Sequence, residues 1–299
     1  MLYNPAQNIM QLQTFKYFAE HIVGYIYPPR CVACRCLLSD SKYLCPECAD
    51  KFGAHKIFNR FVTAELQKDD IDSSIAICDK CGEIMPVQNI QFGHCPICRA
   101  APYAANHIRS LYTYNDDTRS PLLTFKYFQK FGLAKLFSEI ILQNLGPDFA
   151  TGFRIFPESD WDYILPVPSS PDILRTRGYN HMYLTTKIVA KKLGCKTTPD
   201  FLISGKNRAA QTMLTPKERI KNVKGAFAIS KRGRDNLGGA KILLLDDMLT
   251  TGSTIDAATK ALINDGNALS VDVLTVFRSG SFARDRIKIA INHKVAINF

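Results

Sequence analysis

The chain has 299 residues, 46% of them hydrophobic and 22% charged, with a formal net charge of +11 and ten cysteines. This balance excludes a disordered chain, and the length allows one large domain or two ordinary ones. Residues 1–105 carry 10 basic and 10 acidic residues, whereas 175–241 carry 16 and 3, a block that implies polyanionic ligands such as pyrophosphate, nucleotide or nucleic acid.

The first ten residues lack a basic n-region and no long apolar segment follows, so no secretory leader is expected. The apolar stretch 18–27 contains Glu20 and His21 and is too short to span a bilayer. The expectation is a cytoplasmic protein with no transmembrane segment and with reduced thiols available to a metal. Ile9, Leu12, Phe15, Ile22 and Ile26 recur at helical spacing, which predicts an amphipathic helix over 8–27 that Pro28-Pro29 stops.

Four Cys-x-x-Cys knuckles follow: Cys31/Cys34, Cys45/Cys48, Cys78/Cys81 and Cys95/Cys98. Each brings two thiolates together, and two knuckles complete a tetrahedral Cys₄ site, so two structural Zn ions are expected. The simplest pairing is sequential; an interleaved pairing is the alternative. Cys36 is read as a spare thiol, Cys195 as a lone thiol, and His55 and His94 as structural. Residues 49–77 read as a short helix and a polar connection.

Composition changes near 105, which divides an N-terminal helix and double zinc-ribbon-like module (1–105) from a second domain (106–299). Residues 108–114 alternate as a strand. Helices are predicted over 120–131 and, after Gly132, over 133–145. A core strand over 161–167 ends at Pro168, and a helix covers 180–193. Arg175 and Arg177 fall on the loop between them. Thr215-Pro216 opens a short helix, a short strand covers 227–229, and a final core strand covers 270–277.

Ile242 and the three leucines after it form a buried central strand that ends at Asp246 and Asp247. Thr250, Thr251, Gly252, Ser253 and Thr254 form a hydroxyl-rich turn. A helix follows through Ile255, Ala258, Ala261 and Leu262. Strand, turn and helix N-terminus together make a phosphate site. The two carboxylates lie where ligands bind in open α/β sheets and can accept hydrogen bonds from sugar hydroxyls.

The 242–254 stretch closely resembles the ribose-phosphate signature of type I phosphoribosyltransferases. It is one of a series of motifs. Pro28 to Cys34 comes first, then Lys126 among aromatics, then a Val-Pro…Arg-Gly-Tyr-Asn segment over 167–180. An Arg…Gln-Thr-x-Leu…Arg…Asn-Val…Ala-Phe segment covers 208–227, and Asp246 to Gly252 closes the series. In that order they resemble the ComF family of competence proteins. The resemblance implies an α/β fold: a doubly wound parallel sheet of type I phosphoribosyltransferase type, preceded by a small Cys-rich zinc-binding module.

The resemblance also implies a site for phosphoribosyl pyrophosphate (PRPP) with Mg. Asp246 and Asp247 would hold ribose and Mg, and Thr250, Thr251, Gly252, Ser253 and Thr254 the 5′-phosphate. Arg175, Arg177, Arg208, Arg219 and Lys126 would be pyrophosphate or loop ligands. It further implies handling of single-stranded DNA during natural transformation, with other DNA-uptake proteins as partners. Lys221, Lys224, Tyr127 and Tyr179 are the candidate DNA contacts, and Phe128 is a further stacking candidate. The alternative is an active phosphoribosyltransferase in nucleotide salvage or related metabolism; no residue stands out as a general base. Departures from the family pattern are the long segment before Pro28, His181 after the Arg-Gly-Tyr-Asn motif, and the tail 284–299.

Overall fold

The computed structural model describes residues 28–39, 43–58, 75–128, 131–146, 154–157, 160–205 and 225–280. The helix expected over 8–27, the one opening at Thr215-Pro216 and the tail 284–299 lie outside the described residues. The chain forms two compact units, Met1–Ala54 and His55–Phe299. No helix among the described residues is long and apolar enough to cross a membrane.

In the first unit, the Cys31 knuckle turns back on itself. Arg35 N–H donates to the Cys31 carbonyl at 2.9 Å, and Cys31 N–H donates to the Cys36 carbonyl at 2.9 Å. Arg35 takes the left-handed conformation (φ 68°) to close the turn. The Cys45 knuckle opens α1 (Pro46–Ala54) with a proline at the first position, where no N–H is needed.

The second unit begins with a hairpin, β1 (Ile75–Ile77) and β2 (Ile84–Pro86), whose turn carries Cys78 and Cys81. Gly82 takes φ +67° there, and a Cβ on it would meet the Ile108 carbonyl at 2.9 Å. Cys95 caps α2 (Pro96–Ala100): its sulfur accepts from Cys98 N–H at 3.4 Å.

A four-stranded parallel sheet follows, in the order β3 (Ile108–Tyr114), β8 (Ser270–Ser279), β7 (Lys241–Leu249), β4 (Tyr163–Pro166). Ile242 to Leu245 are fully buried one after another, as a central parallel strand covered on both faces must be. Ile242, Leu244, Val271 and Val273 share one cluster with Ile255 and Leu262 of α8 (Ser253–Asn264). Cys78, Cys81, Cys95 and Cys98 belong to that same cluster. The compact unit therefore reaches back past 105, where the composition changes, to include the second quartet. The remaining helices among the described residues are α3 (Asp116–Tyr127), α4 (Leu133–Leu145), α5 (Pro171–Arg177), α6 (His181–Leu193) and α7 (Lys231–Asn236). α6 packs on β4, β7 and α4.

Two local expectations need adjustment. Strand β3 does not alternate between core and solvent: its first five residues are all buried, because helices and the second pair of knuckles cover it. Helix α3 starts at Asp116 and not near 120, because Asn115 and Thr118 form a reciprocal capping box. The short strands β5 (Leu202–Ser204) and β6 (Phe227–Ile229) pair antiparallel. Gly205 N–H donates to the Ala226 carbonyl at 2.8 Å.

Asn180 ties the end of β4 to the start of α6. Its Oδ1 accepts from Met182 and Tyr183 N–H, and its Nδ2 donates to the Val167 carbonyl at 3.1 Å. Replacing Asn180 with Ala should cost about 1–2 kcal/mol in urea unfolding, the loss of a helix cap plus one hydrogen bond. A change indistinguishable from zero would show that this junction is held by packing alone.

Candidate functional site

The site arises from a mismatch in strand length. β4 stops pairing at Pro166, opposite Leu245, and Pro166 and Pro168 have no N–H to extend the ladder. β7 continues through Asp246 to Leu249, paired only with β8. The strand thus does not end at the two acids. It runs past them, and beyond Pro166 the β4 side of β7 carries no strand partner.

The two carboxylates have different surroundings. Asp246 is half-buried and accepts from the N–H of Asp247 at 2.9 Å. Asp247 is 7% exposed. Its Oδ1 accepts from Lys126 Nζ at 2.7 Å, and its Oδ2 faces His181 Nε2 in a short contact. Burial alone would raise the Asp247 carboxyl, but the Lys126 charge and His181 outweigh it and hold the group well below its ordinary value. Burial lowers His181 against the pull of Asp247. A neutral His181 donates Nε2–H to the carboxylate, and its Nδ1, 3.5 Å from Arg177 Nη1, is the acceptor. The ring also stands edge-on to Phe125, 5.2 Å between centroids.

Beyond Leu249 the chain turns. Thr250 is exposed and Thr251 is buried. Gly252 caps α8 at φ +77° with no side chain to occupy the helix end. The Thr251 and Ser253 hydroxyls are 3.0 Å apart. The α8 N-terminus therefore opens beside Asp246 with two hydroxyls and the partial positive charge of a helix end. Strand, turn and helix follow the expected sequence.

The other expected ligands are distributed around this opening. Arg175 and Arg177 lie on α5 and not on a loop, because Ser170 caps the helix with Pro171 at its first position. Arg175 is exposed and paired with Asp172. Arg177 lies over the Tyr127 ring at 4.8 Å. Tyr179 donates to the Phe125 carbonyl at 2.8 Å and packs against Phe131. Tyr127, Phe128 and Phe131 are exposed. Lys126 points at Asp247. Arg208, Arg219, Lys221 and Lys224 lie outside the described residues.

The cysteines group sequentially: Cys31, Cys34, Cys45 and Cys48 in one set, and Cys78, Cys81, Cys95 and Cys98 in another, each with sulfurs within 4.8 Å of one another. The Sγ separations of 3.8 Å for Cys34–Cys45 and for Cys81–Cys95 match the edge of a tetrahedron with metal–sulfur bonds of about 2.3 Å. Both quartets can hold a structural metal ion. Cys36 stands outside them, its thiol pushed up to about 12 by its contact with Cys34. Cys195 donates to the Trp161 carbonyl. His55 bonds Asp117 and Asn115, a structural role as expected. Two site residues went unread in the sequence. His181 stood out only as a departure from a family pattern, and Tyr103, which donates to the Thr251 carbonyl at 3.1 Å, carried no local signal.

The chain is similar to several known proteins. A family model described as Phosphoribosyl transferase domain matches residues 183–296. Competence protein ComFC of Bacillus subtilis is 27% identical over 173 residues, 57% of this chain and 64% of that protein, so the match spans just under two thirds of that relative. DNA utilization protein YhgH of Salmonella typhimurium is 25% identical, over 65% of this chain and 81% of that protein. Competence protein F of Haemophilus influenzae is 23% identical, over 63% of this chain and 79% of that protein. An adenine phosphoribosyltransferase structure from Leishmania donovani aligns with 60% of this chain and 75% of its own at 15% identity and a TM-score of 0.33. The chain is a homologue of the ComF, ComFC and YhgH proteins and carries a phosphoribosyl transferase domain.

Because Asp247 neutralises the half-buried Lys126 and accepts from the buried His181, Asp247→Ala should destabilise the fold by about 2–3 kcal/mol. Asp246→Ala should cost about 1 kcal/mol or less. Equal unfolding midpoints for the two variants would refute the asymmetry. The same groups fix a pH trend. Folded His181 lies below the ordinary 6.5, so below that pH the unfolded chain binds a proton that the folded one refuses, and stability falls. Folded Asp247 lies below the ordinary 3.8, so its stabilising contribution is complete above that pH and is lost as the pH drops through it. His181→Gln should remove the first decline and leave the second.

Proposed function

We propose that this chain binds PRPP with Mg²⁺ at residues 246–254 and handles single-stranded DNA on its basic surface in the cytosol during natural transformation. One observation carries the reading. β7 outruns β4, and this brings two carboxylates, a hydroxyl-lined turn and a helix N-terminus to one opening at the carboxyl end of a parallel sheet, the general position of ligand sites in such sheets.

In this reading Asp246 and Asp247 receive the ribose hydroxyls and hold Mg²⁺, and the amides and hydroxyls of Thr250, Thr251, Gly252, Ser253 and Thr254 receive the 5′-phosphate. Mg²⁺, when bound, neutralises pyrophosphate charge as a Lewis acid. Lys126, Arg175, Arg177, Arg208 and Arg219 supply the remaining cationic contacts. Lys126 can turn from Asp247 to a pyrophosphate oxygen without leaving the pocket, because the Asp247 carboxylate keeps its hydrogen bond from His181. For DNA, the exposed rings of Tyr127 and Phe128 beside Arg177 suit base stacking next to a cationic groove. Tyr179 is half-buried with its hydroxyl bonded to Phe125, so it supports this platform more than it contributes to it. Lys221 and Lys224 belong to the basic segment 206–224.

The phosphoribosyl transferase domain match favours a second reading, an active transferase in nucleotide metabolism. Release of pyrophosphate from PRPP on addition of a nucleobase would establish it.

We assign Zn²⁺ to both cysteine quartets. Metal analysis of the freshly purified full chain should give two Zn per chain, and Cys95→Ser should lower the unfolding temperature much more than Cys195→Ser, because only the first loses a ligand coupled to folding. Fewer than two Zn, or a disulfide within a quartet, would count against the assignment.

PRPP and single-stranded DNA should be titrated on one preparation, with and without Mg²⁺. Asp246→Ala, which spares the buried pair, should weaken PRPP at least tenfold; unchanged affinity in the folded variant rules out the ribose assignment. Reversing the charge at Lys221 and Lys224 should weaken DNA more than PRPP. It should also flatten the logarithmic salt dependence by about 0.7 for each single-strand phosphate that the variant no longer neutralises. DNA binding indifferent to both lysines would reduce the basic block to a solvated face.

A further inference from the structure

The peptide that links Thr251 to Gly252 is held from outside the sheet. The Tyr103 hydroxyl donates to the Thr251 carbonyl at 3.1 Å. A planar trans peptide sets its N–H opposite its carbonyl, so fixing that oxygen also fixes where the Gly252 N–H points. The contact is close enough to dictate sequence: a Cβ on Gly252 would lie 2.3 Å from the Tyr103 hydroxyl. The next residue adds a second link, from Ala104 N–H to Asp256 Oδ1 in the first turn of α8 at 2.8 Å. Tyr103 and Ala104 thus grip both sides of the turn that opens the helix.

The segment that carries them is anchored on the second cysteine quartet. It leaves α2, the helix that Cys95 caps, with Ala101 N–H bonded to the Ile97 carbonyl at 2.9 Å. Lys80, between Cys78 and Cys81, donates from Nζ to the Ala105 carbonyl at 2.6 Å, and its own carbonyl accepts from Ile108 N–H at 2.7 Å. Tyr103 is 4% exposed, in the same apolar cluster as the four cysteines and Ile255. Without a cation, four buried thiols cannot all ionise together. A divalent ion removes that conflict and rigidifies the knuckles.

We propose that the second quartet, through Tyr103 as a positioning residue, holds the 250–254 turn in its anion-receiving conformation, so that metal occupancy in the knuckles and anion binding at the turn are coupled. The consequence for PRPP rests on the function proposed above. The consequence for the turn itself does not.

The test uses Tyr103→Phe in the full chain, which keeps the ring and removes only the hydroxyl. Amide hydrogen exchange at residues 251–254 should quicken by about two- to tenfold, the equivalent of one net hydrogen bond, while residues 242–245 stay protected and the metal content is unchanged. Asp256→Ala, which cuts the other link, should act in the same direction. Chelation of the second quartet should also loosen the turn, whereas Cys34→Ser, which disables only the first, should not. PRPP affinity should fall with Tyr103→Phe by a factor similar to the exchange change. Unchanged exchange at 251–254 in both Tyr103→Phe and chelated protein overturns the proposal, as does equal loosening by Cys34→Ser. If the unaltered chain fails to bind PRPP, the function proposed above falls and hydrogen exchange still decides this coupling.

Discussion

A carboxylate 7% exposed has to be neutralised, and the way Asp247 is neutralised organises the sheet's open end. Its two partners come from different elements, Lys126 from the last turn of α3 and His181 from the first turn of α6. α3 follows the edge strand β3, and α6 follows β4 at the opposite edge. One buried charge on β7 therefore ties together helices attached to both margins of the sheet. Removing one partner of such a cluster costs more than the cluster itself contributes, because the remaining charge stays buried. The site is thus rigid where Asp247 lies, and Asp246, half-buried beside the flank that β4 vacates, is the acid that solvent and ligand reach first.

Sequence pattern predicts structure well where one pattern has one physical cause. Four consecutive apolar residues from Ile242, closed by two acids, read as a strand covered on both faces, and all but the far end of that strand was legible. Gly252 and Ser253 mark a helix start because a left-handed cap followed by small hydroxyls leaves the helix N–H groups open. Phe227–Ile229 and Leu133–Leu145 have the bounds that their patterns predict. Alternation misled at β3, where polar Arg109 and Ser110 look solvent-facing. Arg109 is instead buried by bonds to the carbonyls of Ile155 and Asp79, and Ser110 by its bond to Thr275. A long side chain that satisfies itself on backbone carbonyls is invisible to hydrophobic periodicity. The same holds for α5, where Asp172, Arg175 and Arg177 read as loop because no apolar residue of that helix is buried. The links from Tyr103 to Thr251 and from His181 to Asp247 span 148 and 66 residues, and no local signal encodes separations of that size.

The four knuckles look alike in sequence and differ in what surrounds them. In the first quartet only Cys31 is buried and Cys34 is exposed; in the second all four are buried within the sheet's own core cluster. A metal in the first would stabilise a small unit with little apolar core of its own, the usual reason for a structural ion in a short segment. A metal in the second would sit inside an interior that already has a sheet and helices, where the net negative charge of four thiolates around a divalent ion needs compensation. Arg109 meets that need: it is 5% exposed, and the thiolates of Cys81 and Cys78 help keep it charged against its own burial. Identical motifs thus serve one unit as a fold-maker and the other as a fixed strut.

Charge at the opening also constrains what can enter it. Asp246 and Asp247 bring two negative charges; Lys126 and Arg177 bring two positive ones, while His181 stays neutral. A polyanion alone would meet the acids at close range and be repelled. A polyanion that carries a divalent cation presents that cation to the acids and its phosphates to Lys126, Arg177 and the α8 N-terminus, so every charge has an opposite neighbour. A bare DNA strand has no such arrangement at the acids. The acidic floor thus favours a small anion that brings its own divalent cation over a bare polyanion.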